Sequence, residues 1–134
     1  MENKDRILLV DDEQDITFAP NIGLEDNGFV VDSFNDPILA LQSFKQKNRQ
    51  EDDPYALALI DIKMPKMNGF ELYNQIRKID DKVKVCFITA FEIQKDEHFS
   101  SITKSNDKYK PNIIRKPIEV DELVKRLKAI IPNS

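Results

Sequence analysis

The stretch Arg6-Ile7-Leu8-Leu9-Val10-Asp11-Asp12 is an apolar run that stops on two adjacent aspartates. Tyr55-Ala56-Leu57-Ala58-Leu59-Ile60 stops on Asp61 in the same way, Ile113-Ile114-Arg115 stops on Lys116-Pro117, and Val83-Lys84-Val85-Cys86-Phe87-Ile88 stops on Thr89. Short apolar runs of this kind read as strands covered on both faces. A parallel sheet gathers the ends of its strands on one edge, and ligands bind there. The pattern therefore predicts an edge where Asp11, Asp12, Asp61, Thr89 and Lys116 meet. Carboxylates held that close repel one another, which calls for a divalent cation, and the lysine calls for an anion.

Helical patterns fill the intervals. The spacing predicts strands over Ile7–Val10, Phe29–Phe34, Ala56–Ile60, Val83–Ile88 and Asn112–Arg115. It predicts helices over Glu13–Asn27, from Asp36-Pro37 onward, over Gly69–Ile79 and over Glu119–Ile131. Gly28 stands where a left-handed cap ends the first helix, and Pro37 stands at a first-turn position of the second. The charged stretch Lys47–Pro54 and the segment Lys63–Gly69 read as loops. A fourth helix is expected between Ala90 and Pro111, where Phe91, Ile93, Phe99 and Ile102 are scattered among polar residues. Strands alternating with helices imply a doubly wound parallel sheet with helices on both faces.

The 134 residues suit one domain, expected to span 1–134 with no output domain attached. With 40% apolar and 33% charged residues the composition is that of an ordinary globular protein. A net charge of −4 argues against a nucleic-acid footprint across the chain. One cysteine, Cys86, lies inside an apolar run and excludes an internal disulfide. It reads as a small buried residue. The polar N-terminus and the absence of a membrane-length run make the cytoplasm the expected location. The lone His98 reads as a surface residue.

The edge residues permit a definite chemistry. Magnesium takes oxygen ligands and often uses one or two carboxylates beside phosphate oxygens. Asp12 and Asp61 are candidates for direct ligands, Asp11 for holding a metal-bound water, and the backbone carbonyl of Lys63 for a further position. An aspartate carboxylate also accepts phosphoryl groups as an acyl phosphate. Asp61 is the candidate nucleophile, with Lys116 and Thr89 as donors to phosphoryl oxygens. Each residue has a plainer reading alone: Asp11-Asp12-Glu13 as an acidic helix start, Lys116 as a surface lysine, Thr89 as a residue of good strand propensity. Their concurrence on one edge outweighs those readings.

Across nearly its whole length the chain resembles the receiver domain of two-component response regulators. The resemblance rests on Ile7-Leu8-Leu9-Val10-Asp11-Asp12-Glu13, Leu59-Ile60-Asp61-Ile62-Lys63-Met64-Pro65-Lys66-Met67-Asn68-Gly69, Ile88-Thr89-Ala90 and Arg115-Lys116-Pro117. It implies a flavodoxin-like sheet in the order 2-1-3-4-5. It implies that Asp61 takes a phosphoryl group from a sensor histidine kinase or phosphotransfer protein. Asp11 and Asp12 would serve magnesium, with manganese as a substitute. Thr89 and Ala90 would contact the phosphoryl group and switch with it, and Lys116 would bind it. Pro117 would follow a cis bond. The change would be relayed through the surface of the fourth helix, fifth strand and fifth helix to a protein target or a tethered output domain, without contact to nucleic acid or entry into a membrane. Such a chain is a phosphoacceptor with self-catalysed uptake, not an enzyme. The positions that tune its kinetics are Lys63 and Phe91, and a bulky Phe91 is expected to slow self-dephosphorylation.

Three features depart from the family pattern. Ile113 stands where the family commonly has a switching aromatic, and a β-branched side chain is stiff. Pro20 falls inside the expected first helix, where proline removes a hydrogen bond and clashes with the preceding turn. The interval from Thr89 to Lys116 is longer than usual and carries Lys104, Lys108 and Lys110, with Arg115 just before the lysine. Two other readings compete. A degenerate receiver would act only by docking, but every acceptor residue is present. An aspartyl-nucleophile phosphatase normally has a second aspartate two positions after the first, where Lys63 stands here. Gly23, Gly28 and Gly69 alone cannot build a phosphate-cradling glycine loop.

Overall fold

The computed structural model describes residues 5–11, 20–50, 54–62, 64, 66–89, 110–116 and 118–131. Five parallel strands form one sheet in the order β2-β1-β3-β4-β5. They are β1 (Asp5–Val10), β2 (Phe29–Phe34), β3 (Tyr55–Asp61), β4 (Lys84–Thr89) and β5 (Asn112–Arg115). The helices are α1 (Pro20–Asp26), α2 (Pro37–Gln50), α3 (Gly69–Ile79) and α4 (Val120–Ile130). This α4 is the helix predicted over Glu119–Ile131. The helix expected between Ala90 and Pro111 lies outside the described residues, as do residues 13–19 of the expected first helix.

The two-residue alternation of a strand sorts the core into two layers. Leu8, Val10, Ala58, Ile60, Val85 and Phe87 pack with α2 and α3, through Ala40, Leu41, Phe44, Phe70, Leu72, Tyr73 and Ile76. Ile7, Leu9, Leu57, Leu59, Cys86, Ile88 and Ile114 pack with α1 and α4, through Leu24, Leu123, Val124 and Leu127. Leu57, Ala58, Leu59 and Ile60 have no exposed surface, because β3 is flanked by β1 and β4 and covered on both faces. On the first layer Phe87 meets Phe70 and Tyr73 edge-on, at 5.2 and 5.7 Å between ring centroids. Ile113 pairs in register with Phe87 and packs against the same layer while half-buried.

The expected loop over Lys47–Pro54 is corrected. α2 continues to Gln50. The run of Lys, Asn, Arg and Gln is compatible with a helix, and the Asn48 side chain donates to the Ile79 carbonyl at 3.4 Å. This last part carries no apolar periodicity to mark it, yet the helix does not stop there. β4 begins at Lys84, one residue after the prediction. Gly28 takes φ +92, as the cap prediction required.

At the opposite end of the sheet from the acidic edge, Arg6 donates to both oxygens of Asp32 at 3.0 and 3.1 Å. The Tyr55 hydroxyl donates to Asp32 at 2.7 Å and lies 2.7 Å from the Ser43 hydroxyl. Burial, with Asp32 adding to it, pushes the Tyr55 phenol well above its ordinary range. Burial likewise pushes the Cys86 thiol up from 9.0 to about 12. Both groups therefore release their protons first in the unfolded chain. Their contribution is complete below the unfolded values and is lost as pH rises through the folded ones. Stability is expected to fall as pH rises above about 9, through the range in which the thiol ionises in the unfolded chain but not in the folded one. Urea titrations at pH 8, 9.5 and 11 measure it, and a Cys86→Ala variant should show a shallower decline.

Candidate functional site at the carboxyl edge of the sheet

The chain runs from β1 to β2 on one side, then crosses to place β3 on the other side of β1. The crevice at such a reversal of strand order is where ligands bind in doubly wound sheets. Asp11 directly follows β1, and Asp61 is the last residue of β3. The Asp11 amide donates to the Phe34 carbonyl at 3.0 Å, which ties the strand end to β2. Lys116 directly follows β5 and is held to β4 by its amide, which donates to the Thr89 carbonyl at 2.9 Å.

Side-chain direction follows from the alternation. Asp11 continues the face of Ile7 and Leu9, Asp61 that of Leu57 and Leu59, and Lys116 that of Ile114. All three therefore leave the sheet on the side of α1 and α4. There the Lys116 Nζ lies 3.0 Å from an Asp11 oxygen and 3.5 Å from an Asp61 oxygen. The side chains are only 12%, 5% and 10% exposed for Asp11, Asp61 and Lys116, so solvent screens the cluster weakly. Thr89 continues the alternation of Val85 and Phe87, is 1% exposed, and is joined to the cluster through its carbonyl.

The segment leading from Asp61 into α3 holds that aspartate in place. Gly69 lies so close that a Cβ there would stand 2.6 Å from the Asp61 carbonyl oxygen and 2.7 Å from the Ile62 Cα. Both are backbone atoms that cannot step aside, so this position demands glycine. The Gly69 amide donates to the Ile62 carbonyl at 2.8 Å and closes the segment at its base. Asn68 starts α3 with a capping box, its side chain accepting from the Glu71 amide at 2.9 Å. The sequence signal for this box, Asn68 with Glu71 three residues on, begins within the stretch read as a loop.

Of the predicted site residues, Asp11, Asp61 and Lys116 are in contact and Thr89 is beside them. Asp12, Lys63, Ala90, Phe91 and Pro117 lie outside the described residues. Among the described residues no group of three metal-ligating side chains occurs. Asp11 and Asp61 nevertheless present hard oxygen donors at one point, a donor set that suits magnesium. Of the basic stretch before Lys116, Lys110 and Arg115 are exposed, and Lys104 and Lys108 lie outside the described residues.

Residues 7–128 match the response regulator receiver domain family. The chain belongs to that family. Its receiver architecture is shared with a CheY-like receiver domain protein from Methanospirillum hungatei at a TM-score of 0.76 and 26% identity, covering 96% of this chain and 94% of that one. Response regulator TrrA of Thermotoga maritima, in complex with Mg2+-BeF, matches at a TM-score of 0.74 and 27% identity, covering 94% and 98%. Among sequences, the transcriptional regulatory protein CpxR homolog of Haemophilus influenzae is 33% identical over 129 residues, 96% of this receiver and 51% of that protein. Response regulator MprA of Mycobacterium leprae is 31% identical, over 94% of this receiver and 50% of that protein. The receiver thus spans about half the length of the curated relatives it matches. As a receiver domain of two-component response regulators it is a phosphoacceptor signalling module, of a family that generally binds Mg2+. Among the described residues no helix is long and apolar enough to cross a membrane.

Proposed function

We propose that Asp61 is the phosphoacceptor of this receiver. The observation that carries the reading is the shared ammonium: Lys116 lies 3.0 Å from Asp11 and 3.5 Å from Asp61 at the strand-order reversal. An Asp61 carboxylate oxygen attacks phosphorus in a phosphohistidine of a sensor kinase or phosphotransfer protein. The P–N bond breaks, an acyl phosphate forms, and the released imidazole takes up a proton. Such transfers need positioning and charge neutralisation more than covalent assistance. Lys116 swings its ammonium from the carboxylate pair to a phosphoryl oxygen, and Thr89, whose side chain starts on the α2 and α3 face of its strand end, turns its hydroxyl over the edge of the sheet to donate to another.

The residues that would hold magnesium are Asp11, Asp12, Asp61 and the Lys63 carbonyl. When bound it would neutralise the charge that accumulates as a phosphate approaches two carboxylates. Burial of Asp61 limits the access of water to the acyl phosphate, which supports slow self-dephosphorylation. Output runs from Thr89 into β5 and α4, and so to a downstream protein or tethered domain. The half-buried Ile113 passes no ring between core and surface. Incubation with acetyl phosphate and magnesium, followed by intact-mass measurement, is expected to show one added phosphoryl group per chain. No mass gain with acetyl phosphate or with a phosphorylated kinase would overturn the assignment.

A further inference from the structure

Lys66 is a non-glycine residue held at φ 68, in the left-handed region that most side chains enter only when other contacts hold them there. It lies in the short segment between Asp61 and α3. That segment is anchored at three described points. Its base is closed by the Gly69 amide on the Ile62 carbonyl, at 2.8 Å. Met64 is buried in the core layer under α2 and α3. At the third point the Lys66 Nζ meets an Asp36 oxygen at 3.1 Å.

Asp36 is itself fixed. It sits in the turn between β2 and α2, where its other oxygen accepts from the Ile38 amide at 2.8 Å and caps the helix. The Lys66 ammonium, helped by that amide, holds the Asp36 carboxyl below its usual range. The pair therefore ties the segment leaving Asp61 to a neighbouring turn of the same edge of the sheet. We propose that Lys66 is a positioning residue: its ion pair with Asp36 clasps the turn that leads from Asp61 into α3, and so holds Asp61 ready to receive a divalent cation. This rests on the reading of Asp61 given above.

The proposal predicts a sign that simple electrostatics does not. Lys66 is a positive charge near an acidic edge, so its removal alone would favour a cation. If the clasp governs, removal weakens cation binding because the segment must be ordered at binding. Calorimetric titration of the intact chain with magnesium chloride, without any phosphodonor, separates the two. Lys66→Met and Asp36→Asn, the latter keeping an oxygen for the Ile38 amide, should each weaken binding by about three- to fivefold at low salt, the range an exposed ion pair supplies. Combined, the two should do no more than either alone. Lys66→Arg should restore wild-type affinity, and added salt should shrink the difference. Magnesium bound as tightly or more tightly by Lys66→Met than by the wild type would overturn the clasp alone. A wild-type chain that takes up no magnesium would overturn the reading of the Asp61 site as well. Circular dichroism checks that each variant is folded.

Discussion

Asp61→Asn is expected to abolish phosphoryl uptake while leaving the fold in place. The amide has the size of the carboxylate and keeps one oxygen toward Lys116, whose shorter contact, 3.0 Å, is to Asp11 and survives the change. What is lost is the nucleophile: an amide oxygen does not form a stable acyl phosphate. Intact mass after incubation with acetyl phosphate and magnesium should therefore show no gain, while the melting temperature changes little. The substitution removes one of two like charges flanking a single ammonium, so its effect on stability is small beside its effect on function. A phosphoryl group still gained by the variant would place the acceptor elsewhere, and peptide mapping would then decide between the remaining carboxylates.

Lys116→Met carries the largest expected effect on stability. Asp11 and Asp61 are 12% and 5% exposed, and the ammonium between them lies 3.0 and 3.5 Å away. Methionine fills similar space but leaves two largely buried carboxylates confronting each other. Removing one partner from a buried ion pair typically costs about 3–5 kcal/mol. At this chain length a cost near the lower end lowers the melting temperature by roughly 10 °C. Magnesium should offset much of that loss, since a cation that binds only the folded state stabilises by mass action, by about 2.7 kcal/mol at a hundredfold excess over its dissociation constant. The gain from magnesium should exceed that of the wild type, in which the ammonium competes for the same oxygens. Thermal melts with and without the cation measure both effects. Equal magnesium stabilisation in the two proteins would mean that Lys116 and the cation do not share these carboxylates.

Much of this protein can be read along the chain, element by element. Each strand announces itself as an apolar run, and Asp11, Asp61, Thr89 and Lys116 stand out because a charge or hydroxyl closes such a run. α3 is legible from Gly69 to Ile79 because one face carries Leu72, Tyr73 and Ile76, all buried. α2 is misjudged from Lys47 to Gln50, where the helix continues without apolar periodicity to mark it. The capping box at Asn68 and Glu71 is a local signal that goes unnoticed inside a motif already assigned to a loop.

Local pattern therefore suffices for which residues end the strands and which chemistry those residues can perform, since both depend on side-chain type and on spacing of a few residues. It does not suffice for their meeting. Asp11 and Lys116 stand 105 positions apart, and their contact requires β3 and β4 to lie between β1 and β5 in register. The close approach of Gly69 to the Asp61 backbone and the pairing of Lys66 with Asp36 are likewise products of packing. No periodicity encodes them, because they arise between segments that become neighbours when the sheet is assembled and its two faces are covered.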